Sequence, residues 1–436
     1  MTLKAHIGGA GVGKTHSTLE ALDESEFEIP LSSGQRVLAL TFMHGSRRRL
    51  EQRLRGSKSI RGRYDCMVID RFAWELCSRW RSLLRSLGHD VVREGDFDRT
   101  CDTAGMLLER SDVSAWVSRT YPKVILDEAQ DLTKPRLKMI RALESSVLLF
   151  AAADEFQCLV PDLRPNPAID WLHEKCKPIE LNIQRRTSRP ELISAATAIR
   201  EGKELPVLSE LGEKELFANI KKFNLVVGAG KSPFTLASIC ASNAISWNGG
   251  ASIAIITPAR GDFAQQIVEQ VSTKKLGKKN TGPFPIEWEK SDDAATSEAL
   301  SSLKLPPDGC IEKTIEALSN PDGHSALDLC KKSLLRHQSL TGCVIFSHSL
   351  VKDHLAKAFL RHRRFGSQHG PRVRAMTVHS AKNREFDGVI ILWPFSAKGS
   401  DDQQRRLLYN AITRAQRWVT LIVQSRELLK APPFTE

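Results

Sequence analysis

The chain has 436 residues, of which 26% are charged and 41% hydrophobic, so it suits two folded α/β domains and excludes a long disordered tract. Its 63 Lys and Arg residues outnumber 51 Asp and Glu residues, and the net charge of +12 favours a polyanionic partner without identifying it. The nine cysteines form no C-x-x-C pair, and no leader or membrane span is visible, which predicts a cytoplasmic protein without zinc sites, disulfides or membrane contact.

Short apolar runs in the N-terminal part alternate with amphipathic stretches. This alternation predicts a parallel sheet covered by helices on both faces. After the third run, apolar side chains from Phe72 to Leu87 recur at helical spacing, which is typical of a packing helix. The predicted strands are Leu3–Ile7, Arg36–Phe42, Cys66–Asp70, Val124–Asp127 and Val147–Ala152.

A second series of apolar runs follows the proline-rich segment Leu163–Pro167 and predicts a second sheet of similar type. Residues 273–340 interrupt it with Lys, Gly, Pro and Ser-rich sequence, which indicates an insertion with helices at Ile311–Leu318 and Ala326–Leu335. We therefore expect one domain over residues 1–178 and another over 179–436. The predicted strands of the second domain are Leu225–Val227, Ile253–Thr257, Cys343–Phe346, Val373–Thr377, Val389–Trp393 and Val419–Val423.

Residues Gly8–Thr15 match G-x-x-x-x-G-K-[ST] between a predicted strand and a predicted helix. In such a loop, glycines such as Gly8, Gly11 and Gly13 let backbone N–H groups turn towards phosphate oxygens. Lys14 would bring a positive charge to the β- and γ-phosphates, and the Thr15 hydroxyl would ligate Mg²⁺. The alternative is a glycine-rich turn without function, but the flanking elements favour a nucleotide site.

The segment Val124–Glu128 is an apolar strand that ends in two carboxylates, as a Walker B element requires. Asp127 would hold Mg²⁺, and Glu128 would orient or deprotonate the attacking water. Acidic pairs also occur at the ends of strands without a catalytic role. The phosphate loop upstream is what favours a catalytic interpretation of this pair.

The segment Asp127–Asp131 reads D-E-A-Q-D and resembles the corresponding motif of UvrD/Rep-like superfamily 1 helicases. Further motifs similar to those of this family follow in order along nearly the whole chain. The resemblance implies two RecA-like domains with an ATP cleft between them. The segments that carry it are Leu40–His44, Val68–Ala73, Ala153–Gln157, Leu181–Thr187, Thr377–Phe386 and Arg406–Ala415.

The resemblance also implies roles for individual residues. Gln157 would sense the γ-phosphate, Arg186 would contact it, and Arg414 would be the arginine finger supplied by the second domain. Glu385 would bind the ribose, and Arg185 stands where the family has a base-stacking tyrosine. The residues expected on the path of single-stranded DNA are Phe42, Arg47, Arg48, Phe72 and His379.

Several positions depart from the family pattern. The glutamine motif that reads adenine is missing, and Arg185 replaces the stacking tyrosine, so we expect weak discrimination between ATP and GTP. Val160 lies where the family carries an aromatic that stacks on DNA, so this stacking contact is lost unless Trp171 or Phe156 replaces it, and Asn383 stands where the family has a glycine. The insertions that processive members use are short here, which makes strand separation less certain than ATP turnover.

These observations predict an ATP- and Mg²⁺-dependent translocase or helicase on single-stranded DNA, with 3′→5′ polarity implied by the resemblance alone. The alternative is a DNA-activated switch or regulatory ATPase subunit of a repair or phage-defence complex, with a protein partner. A metabolic kinase is disfavoured because it would not need Arg414 in its Thr-Arg-Ala setting.

Overall fold

The computed structural model describes residues 3–42, 44–89, 96–228, 233–248, 252–289, 297, 299–319, 325–365 and 372–435. Within these ranges the side chains of residues 44–46, 48, 233, 325, 357 and 360–365 are not described. The predicted DNA contact Arg48 therefore lies outside the described side chains. The chain forms two compact units, residues 1–283 with 377–436 and residues 284–376.

The first sheet has six parallel strands in the order β3-β2-β4-β5-β1-β6. Every predicted strand of this sheet is present, whereas β6 was not predicted, because it is only three residues long and Glu180 separates its two apolar residues. The predicted third strand ends at Val68, and a helix begins at Ile69. The strands are β1 (Leu3–Gly8), β2 (Val37–Thr41), β3 (Tyr64–Val68), β4 (Lys123–Leu126), β5 (Leu148–Ala153) and β6 (Ile179–Leu181).

Alternate residues of these strands enter two separate cores, as the two-residue period of a strand requires. Leu38 and Leu40 belong to the core on one face, while Val37 and Ala39 belong to the core on the other face. The sheet is thus buried on both sides, as predicted. Its helices are α1 (Lys14–Glu28), α2 (His44–Gly56), α3 (Ile69–Arg79), α4 (Arg81–Ser86), α5 (Phe97–Leu108), α6 (Ser111–Thr120), α7 (Lys134–Glu144) and α8 (Pro167–Lys175).

The second sheet of this unit follows the order β9-β12-β13-β8-β7. Its first four strands are parallel, and β7 pairs antiparallel with β8. Strand β7 was not predicted, because its alternation of exposed and buried residues is only four residues long. The strands are β7 (Phe217–Ile220), β8 (Phe223–Val227), β9 (Ile253–Thr257), β12 (Phe386–Trp393) and β13 (Ala415–Val423); the helices are α9 (Pro190–Glu201), α10 (Pro233–Asn248), α11 (Asp262–Thr273), α15 (Val378–Ala381) and α16 (Asp401–Ile412).

The second unit contains the parallel pair β10 (Ile286–Trp288) and β11 (Val373–Thr377), with helices between them in the chain. Both predicted helices are present as α12 (Ile311–Ala317) and α13 (Ser325–Thr341); α14 covers His348–Phe365. These helices enclose a small apolar core of their own.

The strand predicted at Cys343–Phe346 is wrong, because this segment is the loop that joins α13 to α14. Val344 and Ile345 are 81% and 54% exposed, while Phe346 is buried in the helical core and Cys343 packs against that core. The Phe346 N–H donates to the carbonyl of Gly309 rather than to a neighbouring strand. Four apolar residues in a row fit a strand by composition, but here only the two end residues contact the core, and the segment forms a loop.

Candidate functional site

The glycine-rich loop connects β1 to α1, and larger residues at its glycine positions would strain the backbone or clash with neighbouring atoms. Gly11 and Gly13 have φ angles of 80° and 89°, in the left-handed region that favours glycine. A Cβ atom on Gly8 would lie 2.4 Å from the carbonyl oxygen of Leu181. One on Gly11 would lie 2.1 Å from the Gln184 side-chain oxygen. The loop therefore requires glycine, and its N–H groups lead into the N-terminus of α1, where anions are stabilised.

Lys14 is the first residue of α1, and its ammonium group lies against the loop. Its Nζ donates hydrogen bonds to the carbonyls of Gly8 (3.0 Å) and Gly9 (2.8 Å) and lies 3.9 Å from a carboxylate oxygen of Asp154. Burial lowers the pKa of Lys14, while Asp154 opposes that shift. A phosphate group at the loop would therefore offer this buried cation a stronger partner than two carbonyls.

Thr15 and Asp127 form the candidate magnesium site. The Thr15 hydroxyl donates to Asp127 Oδ1 across 3.4 Å, which places a hydroxyl and a carboxylate side by side at the start of α1. Burial, followed by the charge of Glu128, raises the pKa of Asp127 to about 7. Among the residues that the structure describes, no cluster of three or more His, Cys, Asp or Glu residues could hold a metal. These two residues suit Mg²⁺, which keeps several waters and takes phosphate oxygens as further ligands.

Glu128 lies two residues after the end of β4 and has a strained backbone conformation. Its φ angle of 61° is left-handed, which is uncommon for a residue other than glycine and costs about 1–3 kcal/mol. The carboxylate accepts a hydrogen bond from the Gln130 amide at 2.6 Å, and Gln130 in turn accepts from the backbone N–H of Asp154 at 2.9 Å. This network holds Glu128 beside the cavity, where a carboxylate could orient water.

Arg186, which follows β6, and Arg414, which precedes β13, reach the same cavity. Arg186 donates to the carbonyl of Thr413 at 2.9 Å and pairs with Glu385 at 3.1 Å. Arg414 is 1% exposed, and its guanidinium donates to Gln157 Oε1 at 3.5 Å. Burial, followed by the charge of Arg186, lowers the pKa of Arg414. The acceptors described around Arg414 are all neutral, namely Asn410 O, Arg384 O, Thr413 Oγ1 and Gln157 Oε1.

Glu385 is the centre of an ion cluster that joins α2 to the start of β13. It pairs with Arg49 of α2 at 3.2 Å and with Arg186 at 3.1 Å, and it accepts from the Gln416 amide at 2.9 Å. Burial alone would raise its pKa, but Arg186 and Arg49 hold the pKa of Glu385 below its usual value. Arg49 directly follows Arg47 and Arg48 in the chain, and nothing local indicates a partner 336 residues away.

One cavity of about 760 Å³ contains almost all of these groups, a volume typical of small-molecule sites. Gly8 does not line it and instead supports the loop against β6. Beyond the phosphate loop the cavity continues between α1 and α2, past His16, Glu20 and Asp23, a region that no sequence motif indicated. The predicted residues that line the cavity are Gly11, Gly13, Lys14, Thr15, Asp127, Glu128, Gln157, Arg185, Arg186, Glu385 and Arg414.

The residues predicted to contact DNA have different surroundings. His379 is exposed, Phe42 is partly buried against the core, and Arg47 lies 4.0 Å from Glu51 in the same helix. Phe72 is only 4% exposed and belongs to the hydrophobic core, so its side chain offers no face to a base in this structure. Val160, at the position expected to lack a stacking ring, is 42% exposed.

No described helix has both the length and the apolar content that crossing a membrane demands. No curated protein is significantly similar to the chain. Residues 372–422 match the family model of the UvrD-like helicase C-terminal domain, and this segment carries His379, Glu385 and Arg414. The two helix-covered, mainly parallel sheets confirm the predicted α/β fold of two RecA-like domains. In its C-terminal segment the chain is therefore similar to the UvrD-like helicases.

Proposed function

We propose that this protein is a motor that uses ATP hydrolysis to move along single-stranded DNA. The proposal depends mainly on the set of residues that line one cavity. Lys14, Thr15 and Asp127 of the first domain lie in it together with Arg186 and Arg414 of the second. A nucleotide held by both domains would tie their relative position to its phosphates, as translocation requires.

The residues present fit MgATP. Gly11 and Gly13 give the loop the left-handed turns that would let its N–H groups surround phosphate oxygens, and Lys14 and the α1 N-terminus favour negative charge. Thr15 and Asp127 would hold Mg²⁺, which supplies charge neutralisation at the phosphates when bound. Glu128, fixed by Gln130, would orient water and accept its proton.

Arg414 would stabilise the charge that develops on the transferred phosphoryl group. Its guanidinium has neutral hydrogen-bond acceptors and lies beside the cavity, so a phosphate would be its first anionic hydrogen-bond partner among the groups described. Its contact with Gln157, which follows β5 of the first domain, would transmit the state of the nucleotide between the domains. Arginine fingers of this kind are worth roughly 10³-fold or more in rate.

A DNA-activated switch remains the second candidate, and two observations favour it. Val160 offers no aromatic ring for stacking a base. The two domains are also held by ion pairs outside the cavity, since Lys382 pairs with Asp131 at 2.6 Å and Arg164 with Asp402 at 2.8 Å. Ion pairs of this kind would suit a protein that changes conformation on DNA without translocating over a long distance.

Steady-state ATP hydrolysis, measured with and without single-stranded DNA, tests the proposal. We expect DNA to stimulate turnover by the wild-type chain, and we expect Lys14→Ala to show no turnover under either condition. Lys203→Ala changes an exposed residue that pairs with Glu201 on the surface and serves as the control. DNA-independent hydrolysis, or none at all by the wild-type chain, would contradict a DNA-driven motor.

A further inference from the structure

Asp154 is a fully buried carboxylate that two cations share. It follows β5, and its side chain has no exposed surface. Arg200 donates to one oxygen at 2.8 Å, while the Gln157 amide donates to the other at 2.9 Å. Lys14 of the phosphate loop lies 3.9 Å from this second oxygen. The loop cation and Arg200 therefore face the same buried negative charge.

Arg200 belongs to the last turn of α9, in the second domain, and lies in none of the motifs. Its guanidinium lies 5.7 Å from the ring of Phe156 and 5.9 Å from the ring of Tyr409, within the range of cation–π attraction. Burial acts to lower the pKa of Arg200, but the charge of Asp154 more than reverses the effect and raises it. Arg200 is thus a permanent cation that is held in place on Asp154.

Tyr409 links the same group to the phosphate loop. Its hydroxyl accepts a hydrogen bond from the Ala10 N–H at 2.7 Å and lies 3.3 Å from the Arg200 guanidinium and 3.4 Å from Asp154. Tyr409 and Arg200 both belong to the second domain, whereas Ala10 and Asp154 belong to the first. The second domain therefore touches the phosphate loop and its nearest buried carboxylate at once.

The distances determine which cation Asp154 holds. Arg200 makes a direct charged hydrogen bond, while Lys14 stays 1.1 Å further away (3.9 − 2.8 Å) and bonds to carbonyls instead. Were Arg200 uncharged, Lys14 would be the nearest cation to a buried carboxylate, in surroundings where water screens little. It would then be drawn to Asp154 and away from an incoming phosphate.

We propose that Arg200 is a positioning residue, which neutralises Asp154 and so leaves Lys14 available to bind nucleotide phosphate. This proposal rests on the proposed nucleotide site. It adds that nucleotide affinity depends on Arg200, a residue outside the motifs. Because Arg200 comes from the second domain, the affinity of the phosphate loop depends on the docking of that domain. A separation of the domains would release Lys14 to Asp154 and weaken nucleotide binding.

A double-mutant comparison tests the proposal by nucleotide binding rather than by turnover. The dissociation constant of a fluorescent ATP analogue with Mg²⁺ is measured for the wild-type chain, Arg200→Gln, Asp154→Asn and the double variant. We expect Arg200→Gln to bind about tenfold more weakly, as loss of a charged partner implies, and the double variant to return to within about threefold of wild type. Arg200→Lys keeps the charge and should also stay within about threefold.

A double variant that binds as weakly as Arg200→Gln would overturn the proposal, because Arg200 would then act as a simple structural bridge. Wild-type affinity in Arg200→Gln would overturn it as well. Thermal unfolding of each variant shows whether the fold is kept, and Lys203→Gln, two residues beyond α9, is the matched control. Tight binding by Lys14→Ala would instead overturn the nucleotide site itself, so the two failures are distinguishable.

Discussion

Replacing Arg414 with alanine should separate nucleotide binding from nucleotide turnover. The guanidinium lies beside the cavity with only neutral acceptors described around it, so little of its charge is used in the nucleotide-free protein. Lys14, the loop amides and Thr15 with Asp127 remain in the variant. The nucleotide should therefore bind within a few-fold of wild-type affinity.

Turnover should fall far more than binding. An arginine that meets charge developing on a phosphoryl group contributes about 10³-fold in kcat, which corresponds to about 4 kcal/mol of barrier. The contact between Arg414 and Gln157 is lost as well, so the remaining activity should respond less to DNA. Because Arg414 is fully buried, Arg414→Gln, which keeps more of the volume, should be measured beside the alanine variant.

The assay combines equilibrium titration of a fluorescent nucleotide with steady-state hydrolysis at saturating ATP and single-stranded DNA. Arg417→Ala is the matched control, since Arg417 lies three residues further along the chain and is exposed. Weak nucleotide binding with normal turnover at saturation would refute the reasoning and make Arg414 a binding residue.

Four further predictions follow from the site. Lys14→Ala should abolish nucleotide binding, which titration would show; normal binding would remove the phosphate loop from the site. GTP should be hydrolysed at a rate comparable to ATP, because Arg185 replaces a stacking ring, and a strong ATP preference in competition would contradict this. Mg²⁺ should bind more weakly as the pH falls below about 7, since Asp127, with its raised pKa, then takes up a proton; an affinity independent of pH between 6 and 8 would argue against Asp127 as a ligand. Strand displacement on tailed duplexes longer than about one helical turn should be slow for the isolated chain, because each base-pair step costs about 1.4 kcal/mol and Val160 cannot stack a base. Efficient unwinding without a partner would show an autonomous helicase.

The sequence predicted those features that are encoded locally. A glycine-rich loop between a strand and a helix needs only eight neighbouring residues, and strands buried on both faces are continuous apolar runs. The resemblance then brought Arg186, Glu385 and Arg414 to one site, and the structure places all three at the same cavity. Their roles there stay predictions.

Contacts between distant segments were not predictable in this way. Arg49 pairs with Glu385, 336 residues away in the chain, and Tyr409 accepts a hydrogen bond from Ala10, 399 residues away. The sequence around Arg49 and around Tyr409 gives no sign of either contact. Arg200 belongs to no motif at all. The burial of Phe72 is also a tertiary effect, since a helix after a strand can present the same residue to solvent or to the core.

The central claim is movement along single-stranded DNA, and stopped-flow fluorescence tests it most directly. Protein bound to oligonucleotides of increasing length, labelled at one end, is mixed with ATP and Mg²⁺ together with a trap for free protein. We predict that the delay before the signal at the labelled end grows in proportion to oligonucleotide length, and that Lys14→Ala gives no signal change. A delay that is independent of length, despite DNA-stimulated hydrolysis, would contradict translocation and identify the protein as a DNA-activated switch.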